Sequence, residues 1–372
     1  MSDYLCVILV VFLGIYFLIS ILMHIGLTKK YSSTKHQPTV SILIAARNEQ
    51  DTLPDCLESL SQLNYPTHLF DILILNDNST DQTRAIAQSY NQRITNLNVI
   101  DIIENKSGLS GKMNALAQGI EQSHGEIILI TDADCSVPRD WVSEFVTYFN
   151  DNVGLVGGMT ILTPIHRKRR LFHDMQKMDW IYLQGIASGT AGIGMPVSVL
   201  GNNFAFRRQA YQDVGGFERI GFSLTEDMAL LRAIEKETNW NVAYPLDRSN
   251  AIHSKTVATS HELIQQRRRW TKGGIETSLW GFTLLIVTFL VHVLTCLSFL
   301  VGMWSYTLYV LLIVCIADFS IVLRLLKRFK LYKLIYIFPV FELYYFAYTI
   351  VLAFLLPKPS KIVWKGRSYV VK

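Results

Sequence analysis

The chain has 372 residues, half of them hydrophobic, a formal net charge of +5 and a mean hydropathy of +0.25. A positive charge this mild and dispersed excludes a nucleic-acid footprint and suits a protein lying against a membrane and handling anionic substrates. The cysteines, Cys6, Cys56, Cys135, Cys296 and Cys315, form no C-x-x-C pair, so neither a disulfide framework nor a zinc site is implied.

Residues 5–27 are a mostly apolar run, long enough to cross a bilayer. No basic leader or small-residue cleavage site accompanies it, so it reads as an uncleaved anchor. Lys29, Lys30 and Lys35 follow directly, and the excess of positive charge on cytoplasmic loops places the next domain in the cytoplasm. After Gln37-Pro38 strands alternate with helices. Strands are expected at 40–46, 70–75, 97–103 and 126–131, with helices between them, the first carrying Leu53, Leu57, Leu60 and Leu63 at helical spacing. That order argues for a doubly wound, mostly parallel α/β sheet.

The run Ile127-Ile128-Leu129-Ile130 reads as a strand buried on both faces, and it stops at Asp132 and Asp134. Alternation along an extended chain would turn these carboxylates to one side. At the carboxyl end of a parallel strand, where ligands bind, they suit a hard divalent cation on a diphosphate. A polar turn is the plain alternative.

From Trp141 to Trp270 the pattern loosens. A helix after Trp141 and a strand at 153–158 lead to the basic cluster Arg167-Lys168-Arg169-Arg170. Residues 185–201, rich in Gly and Ala and interrupted by Pro196, read as an interfacial or acceptor-lining segment rather than a span. Three candidate spans close the chain, at 279–300, 304–325 and 334–356, with Trp280, Trp304, Tyr306 and Tyr309 as interfacial anchors. The basic loop of Arg324, Lys327, Arg328, Lys330 and Lys333 should be cytoplasmic. A third crossing would export the basic tail 358–372, against the charge rule; Pro339 and Glu342 interrupt that last segment, and a re-entrant hairpin is the other possibility. The expected organisation is an anchor at 1–37, a cytoplasmic catalytic domain at 38–274, a membrane region at 275–357 and a tail at 358–372.

Four further stretches carry candidate chemistry. Asn76-Asp77-Asn78-Ser79-Thr80-Asp81 follows the second strand; it can cap a helix, and Asp77 is also placed to accept the N–H of a uracil-like base. Ala45, Arg47, Asn48 and Glu49 end the neighbouring strand and could wall the base and ribose. Residues 106–114 form a glycine-bearing loop before a helix, where exposed N–H groups and Lys112 suit a diphosphate. The spacing is neither a P-loop nor a dinucleotide fingerprint. Thr225-Glu226-Asp227 opens a helix with an N-cap and first-turn acids; its chemical reading is a general base fixed at the helix start. Gln266-Arg267-Arg268-Arg269-Trp270 fits a membrane rim, or gives Arg269 a phosphate and Trp270 an acceptor face.

In this order the pieces resemble the family 2 glycosyltransferases with a GT-A fold. The likeness rests on Ser41 to Glu49, Asn76 to Asp81, Gly111-Lys112-Met113-Asn114, Asp132-Ala133-Asp134, Gly201-Asn202-Asn203, Thr225-Glu226-Asp227 and Gln266-x-x-Arg269-Trp270. It implies a GT-A sheet with transmembrane helices at both ends and inverting transfer from a nucleotide sugar, a UDP-sugar first. By the resemblance Asp77 binds the base, and Ala45, Glu49, Lys112 and Asp132 line the nucleotide sugar. Asp134, with Asp132, would hold Mg²⁺ or Mn²⁺, and Asp227 would deprotonate the acceptor. Asn202, Glu226, Gln266, Arg269 and Trp270 would attend the acceptor and diphosphate. The family often has an acid where Asn76 stands, which bears on base recognition. The tail Trp364-Lys365-Gly366-Arg367 is similar to that of ceramide glucosyltransferases and implies a lipid or lipid-linked acceptor in the inner leaflet of a bacterial inner or plasma membrane.

Two other readings compete. A processive polysaccharide synthase shares the Q-x-x-R-W pattern but usually needs more membrane helices. A non-catalytic nucleotide-binding receptor or transporter subunit would use His292, Asp318 and Glu342, ionisable groups within apolar spans.

Overall fold

The computed structural model describes residues 2–103, 108–165, 168–274, 277–355, 360–364 and 367–371. Lys106, which begins the glycine-bearing loop, Arg167 of the basic cluster, and Lys358, Lys365 and Lys372 of the tail lie outside them. The chain divides into two compact units. One comprises Met1–Lys29, Pro164–Val197 and Thr256–Pro359; the other comprises Lys30–Thr163, Ser198–Lys255 and Ser360–Lys372.

The second unit is built on a sheet. Its strands in chain order are β1 (Val40–Ala46), β2 (Phe70–Asn76), β3 (Leu97–Asp101), β4 (Ile127–Thr131), β5 (Val153–Gly157), β6 (Thr160–Thr163), β7 (Asn203–Arg207), β8 (Asn241–Ala243) and β9 (Ile252–Lys255). The main sheet runs β3-β2-β1-β4-β7-β5-β8, with β6 and β9 paired separately. The expected parallel core is present in β3, β2, β1 and β4. β7 runs antiparallel to both β4 and β5, so the sheet is mixed. β1, β2 and β4 are almost wholly buried, which explains their unbroken apolar runs. Their side chains form one core with Trp141, Phe145 and Phe149. The strand expected at 97–103 is shorter, ending at Asp101. Ser360–Trp364 and Arg367–Val371 pair as an antiparallel ribbon, β10 and β11, which the basic tail did not announce.

The other unit is helical. Among the described residues four helices are long and apolar enough to cross a membrane: Tyr4–Gly26, Leu279–Leu300, Trp304–Arg328 and Tyr332–Val351. The first expected span thus coincides with a helix, Ser2–Gly26. Pro339 does not interrupt the last one. The chain makes a 3₁₀ turn over Tyr332–Ile337 and the α-helix begins at Phe338, so the proline sits in the first turn, where no N–H is required.

Residues 185–201 were expected to form an interrupted interfacial segment. Instead a single helix, Arg170–Gly192, takes up their first half, and it is buried along much of its length. Its glycines explain the weak apolar signal. A Cβ on Gly26 would strike the carbonyl oxygen of Gly189, and one on Gly192 would strike that of Gly26, so small residues let the two backbones touch. The carboxylate of Asp318 accepts hydrogen bonds from Tyr16 (2.8 and 2.9 Å) and Tyr182 (2.7 Å), tying three helices. This satisfied arrangement makes Asp318 a fastening point, not the pathway residue of the transporter reading.

Candidate active site

The loops after β1 and β2 are stitched together at the carboxyl edge of the sheet. Arg47 Nη1 donates to the Asp77 carbonyl at 2.8 Å, and the Glu49 N–H donates to Thr83 Oγ1 at 2.7 Å. Asn48 Oδ1 accepts the Thr80 N–H at 2.8 Å, with Asn48 and Asn78 both in the left-handed region (φ 53° and 54°) that asparagine tolerates. Ala45 is half-buried opposite Leu75, and the buried Asp77 follows β2 with its N–H on the Ala46 carbonyl at 2.9 Å. The Glu49 carboxylate accepts from the Thr52 hydroxyl at 2.7 Å. Asn76 takes the place of an acid by donating to Asp101 at 2.8 Å, and that bond leads the causes that lower the Asp101 pKa.

Asp132 and Asp134 are brought together differently from the expectation. β4 ends at Thr131, and residues 132–135 turn, closed by the Cys135 N–H on the Asp132 carbonyl at 3.1 Å. A turn therefore pairs these acids, where strand alternation had been expected to. Desolvation first, and the Asp132 charge second, raise the Asp134 pKa above the usual aspartate value. The Cys135 thiol donates to Asp134 Oδ1 at 3.3 Å. Burial, then the charges of Asp134 and Asp132, push that thiol's pKa well up, so it stays a donor. Asn202, expected near the acceptor, instead donates to Cys135 Sγ at 3.8 Å and accepts from Thr160 at 3.0 Å.

Lys112, in the first turn of the helix Gly111–Gln122, was expected on a diphosphate. Its ammonium donors go to Asp132 Oδ1 (2.6 Å), Glu226 Oε1 (2.7 Å) and the Gly201 carbonyl (2.9 Å). Burial opposes its charge, but the two carboxylates outweigh that and hold its pKa above the ordinary lysine value. Glu226 and Asp227 open the helix Glu226–Glu237. Thr225 stands at the N-cap position without making the expected side-chain cap; Asp227 Oδ1 itself accepts the Met228 N–H at 2.8 Å. A Cβ on Gly201 would lie 3.0 Å from Asp227 Oδ2 and 3.1 Å from Glu226 Oε1, so the bare glycine leaves these acids their space.

Lys112 thus gathers Asp132, Glu226 and the Gly201 carbonyl into one cluster, with Asp134 beside it and Asp227 against Gly201. Two carboxylates hold the ammonium and Asp134 feels its charge, so negative charge is in surplus here and a divalent cation would relieve it. Among the described residues no three His, Cys, Asp or Glu side chains gather as a complete metal site. Asp132 and Asp134 are carboxylates of the kind that could hold a hard divalent cation together with a ligand's oxygens.

Gln266, Arg269 and Trp270 lie on the helix Ser260–Gly274 of the helical unit. There Trp270 packs against Trp180, ring centroids 4.8 Å apart, and under the Arg267 guanidinium at 4.2 Å. Arg267 pairs with the buried Asp179. Sequence reasoning missed Cys135, Asp179 and the Gly201 carbonyl. Only Cys135 carried a signal, its place next to Asp134.

A mixed α/β sheet with acids turned out at its carboxyl edge is the architecture of nucleotide-sugar transferases of GT-A fold. The solved mannosyltransferase PcManGT from Pyrobaculum calidifontis, in complex with GDP-Man and Mn²⁺, has the same fold: TM-score 0.60 at 16% identity, covering 96% of this chain and 97% of that one. The chain belongs to glycosyl transferase family 21, matching it over residues 5–372. It is 30% identical over 254 residues, 67% of its length, to the beta-monoglucosyldiacylglycerol synthase of Synechocystis sp.. It is 26% identical over 284 residues, 73% of its length, to the poly-beta-1,6-N-acetyl-D-glucosamine synthase of Staphylococcus epidermidis, covering 65% of that protein. The chain spans about half the length, 50%, of the first of these relatives.

Proposed function

We propose that this protein transfers one sugar, with inversion, from a UDP-sugar to the hydroxyl of a lipid at the inner face of a membrane. The observation that carries the reading is the Lys112 link, which sets the helix start bearing Glu226 and Asp227 against Asp132. Membership of family 21 and the lipid named in the Synechocystis relative support the lipid acceptor. Lys29, Lys30 and Lys35 after the first apolar helix support a cytoplasmic sheet unit.

Asp77 holds the base, with Ala45 and Glu49 near the nucleoside. Asp227 accepts the proton of the acceptor hydroxyl as its oxygen bonds to the anomeric carbon. The bond from that carbon to the diphosphate breaks on the opposite side, and the nucleoside diphosphate departs with the electron pair. Asp134, with Asp132, would hold Mg²⁺ or Mn²⁺, which when bound offsets charge on the departing diphosphate. Lys112 fixes Asp132 and Glu226; Asn202 and Cys135 orient Asp134. Gln266, Arg269 and Trp270 keep the phosphate- and acceptor-contacting parts that the resemblance implies.

The test is mass spectrometry of lipid extracts from cells with and without the protein, supplied with labelled UDP-sugars. A monoglycosylated lipid that disappears with Asp227→Asn is the expected result. Long polymer would overturn the acceptor, and an unchanged product pattern would overturn the reaction.

A further inference from the structure

One end of the helical unit carries an exposed basic rim. The helix Trp304–Arg328 stops there, closed by the Lys330 N–H on the Lys327 carbonyl at 3.3 Å and the Leu331 N–H on the Leu326 carbonyl at 2.8 Å. The 3₁₀ turn Tyr332–Ile337 follows, and its Tyr336 hydroxyl donates to Asp174 Oδ2 at 2.5 Å. Arg170 Nε donates to the same oxygen at 3.3 Å. The start of the helix Arg170–Gly192 is thereby joined to the turn, where Lys333 and Tyr336, three residues apart, share a face. Lys168, Arg169 and Arg170 come to the rim from one side, Lys327, Lys330 and Lys333 from the other, and all are exposed.

Helix-end chemistry accounts for only part of this. Cations are favoured in the last turn of a helix, which covers Lys327. Arg169 and Lys330 need another reason. Both lie in the left-handed region, each at φ 56°, and among the described residues no other left-handed position is held by anything but glycine or asparagine. Lys330 stands where a Schellman cap ordinarily takes glycine without strain. The chain keeps a charge at two places where a smaller residue would sit more easily.

Pairing with acids does not explain the rim either. Residues 324–337 contain no acid, and residues 168–177 contain only Asp174, which is buried and already holds Arg170 and Tyr336. Leu171, Tyr332, Ile335 and Tyr336 are exposed between these cations along the chain. Basic heads on long stems, interleaved with tyrosines and aliphatic groups, suit the headgroup level of a bilayer, where stems and rings bury while charges meet phosphate. The helix that ends at the rim is of membrane length, so the rim stands at that level when the helix crosses. A basic cluster of this size beside a span favours anionic lipids over neutral ones.

We propose that this rim binds the phosphate head groups of anionic phospholipids and holds the helical unit in a leaflet rich in them. The binding stands apart from the sugar transfer proposed above.

The experiment counts lipids bound to the full chain in detergent by native mass spectrometry, titrating dioleoylphosphatidylglycerol against dioleoylphosphatidylcholine. The parent should hold the anionic lipid about tenfold more tightly, and molar salt should narrow the preference. Lys327→Gln, Lys330→Gln and Lys333→Gln in one chain should bring the ratio towards one, since each cation near a membrane surface is worth about fivefold. The same positions changed to Arg should keep it. Lys168→Gln with Arg169→Gln, from the other side of the rim, should lower it as well and serves if the triple variant is unstable. Arg139→Gln, Lys236→Gln and Arg248→Gln remove as much charge from exposed positions of the sheet unit and should leave the ratio alone. An unchanged melting temperature in phosphatidylcholine micelles shows that a variant is folded. No preference in the parent, a preference that survives in the folded rim variants, or an equal loss in the sheet-unit variant overturns the proposal. So does displacement of the lipid by millimolar inorganic phosphate, which would make the rim a site for free phosphate.

Discussion

Lys112 Nζ lies 2.7 Å from Glu226 Oε1 and 2.6 Å from Asp132 Oδ1, so one ammonium pins the start of a helix to the end of β4. Lys112→Met would leave a largely buried Glu226 uncompensated, at a cost of about 3–5 kcal/mol. Asp132, with its side chain 38% exposed, contributes the smaller part. Because the folded pKa of Lys112 is raised, its stabilisation is complete below the ordinary lysine value and fades as pH climbs through the folded one. The gap in melting temperature between parent and variant, followed by thermal denaturation in detergent, should therefore stay level from about pH 6 to about pH 9.

Asp227→Asn should lower kcat by about 10²- to 10⁴-fold, the usual worth of a positioned base. Affinity for the UDP-sugar, measured by calorimetry, should hold. Equal loss of both would show Asp227 to be a binding residue.

The thiol on Asp134 gives a separate handle on the cation. Asp134→Asn should abolish the rise in melting temperature produced by Mn²⁺ with UDP. Cys135→Val, which removes the hydrogen bond at 3.3 Å, should weaken the apparent Mn²⁺ affinity by about 10- to 100-fold while apo stability changes little. Titration of Mn²⁺ against the UDP-induced shift reads both.

Gly201→Ala places a methyl 3.0 Å from Asp227 Oδ2. A crowded contact of this kind costs about 1–3 kcal/mol, so kcat should fall with a modest loss of melting temperature. Full activity would mean that the acids yield freely.

Gly26→Leu tests the helical unit, since the Cβ has no space against the Gly189 carbonyl. The two helices must part, and a monodisperse peak on size-exclusion chromatography in detergent should give way to aggregate. Gly14→Leu, on the same helix with open space around it, should behave as the parent.

Much of this protein was legible in its residue order. Unbroken apolar runs can only be doubly buried strands or membrane-length helices, so β1, β2, β4 and the apolar helices followed from composition and period alone. Side-chain type likewise singled out Asp77, Asp132 and Asp134 as candidates, because carboxylates where apolar runs stop are conspicuous, and Asp227 as an acid at a helix start. Other features had no local signature. The antiparallel course of β7, the helix through Arg170–Gly192 and the Asp179–Arg267 pair depend on which distant segment each meets. Lys112 shows why: its position suggested a phosphate, and only the folded chain brought two carboxylates and a carbonyl to its three donors. Sequence period records what each segment must bury, whereas the partner of a buried charge is chosen by long-range packing.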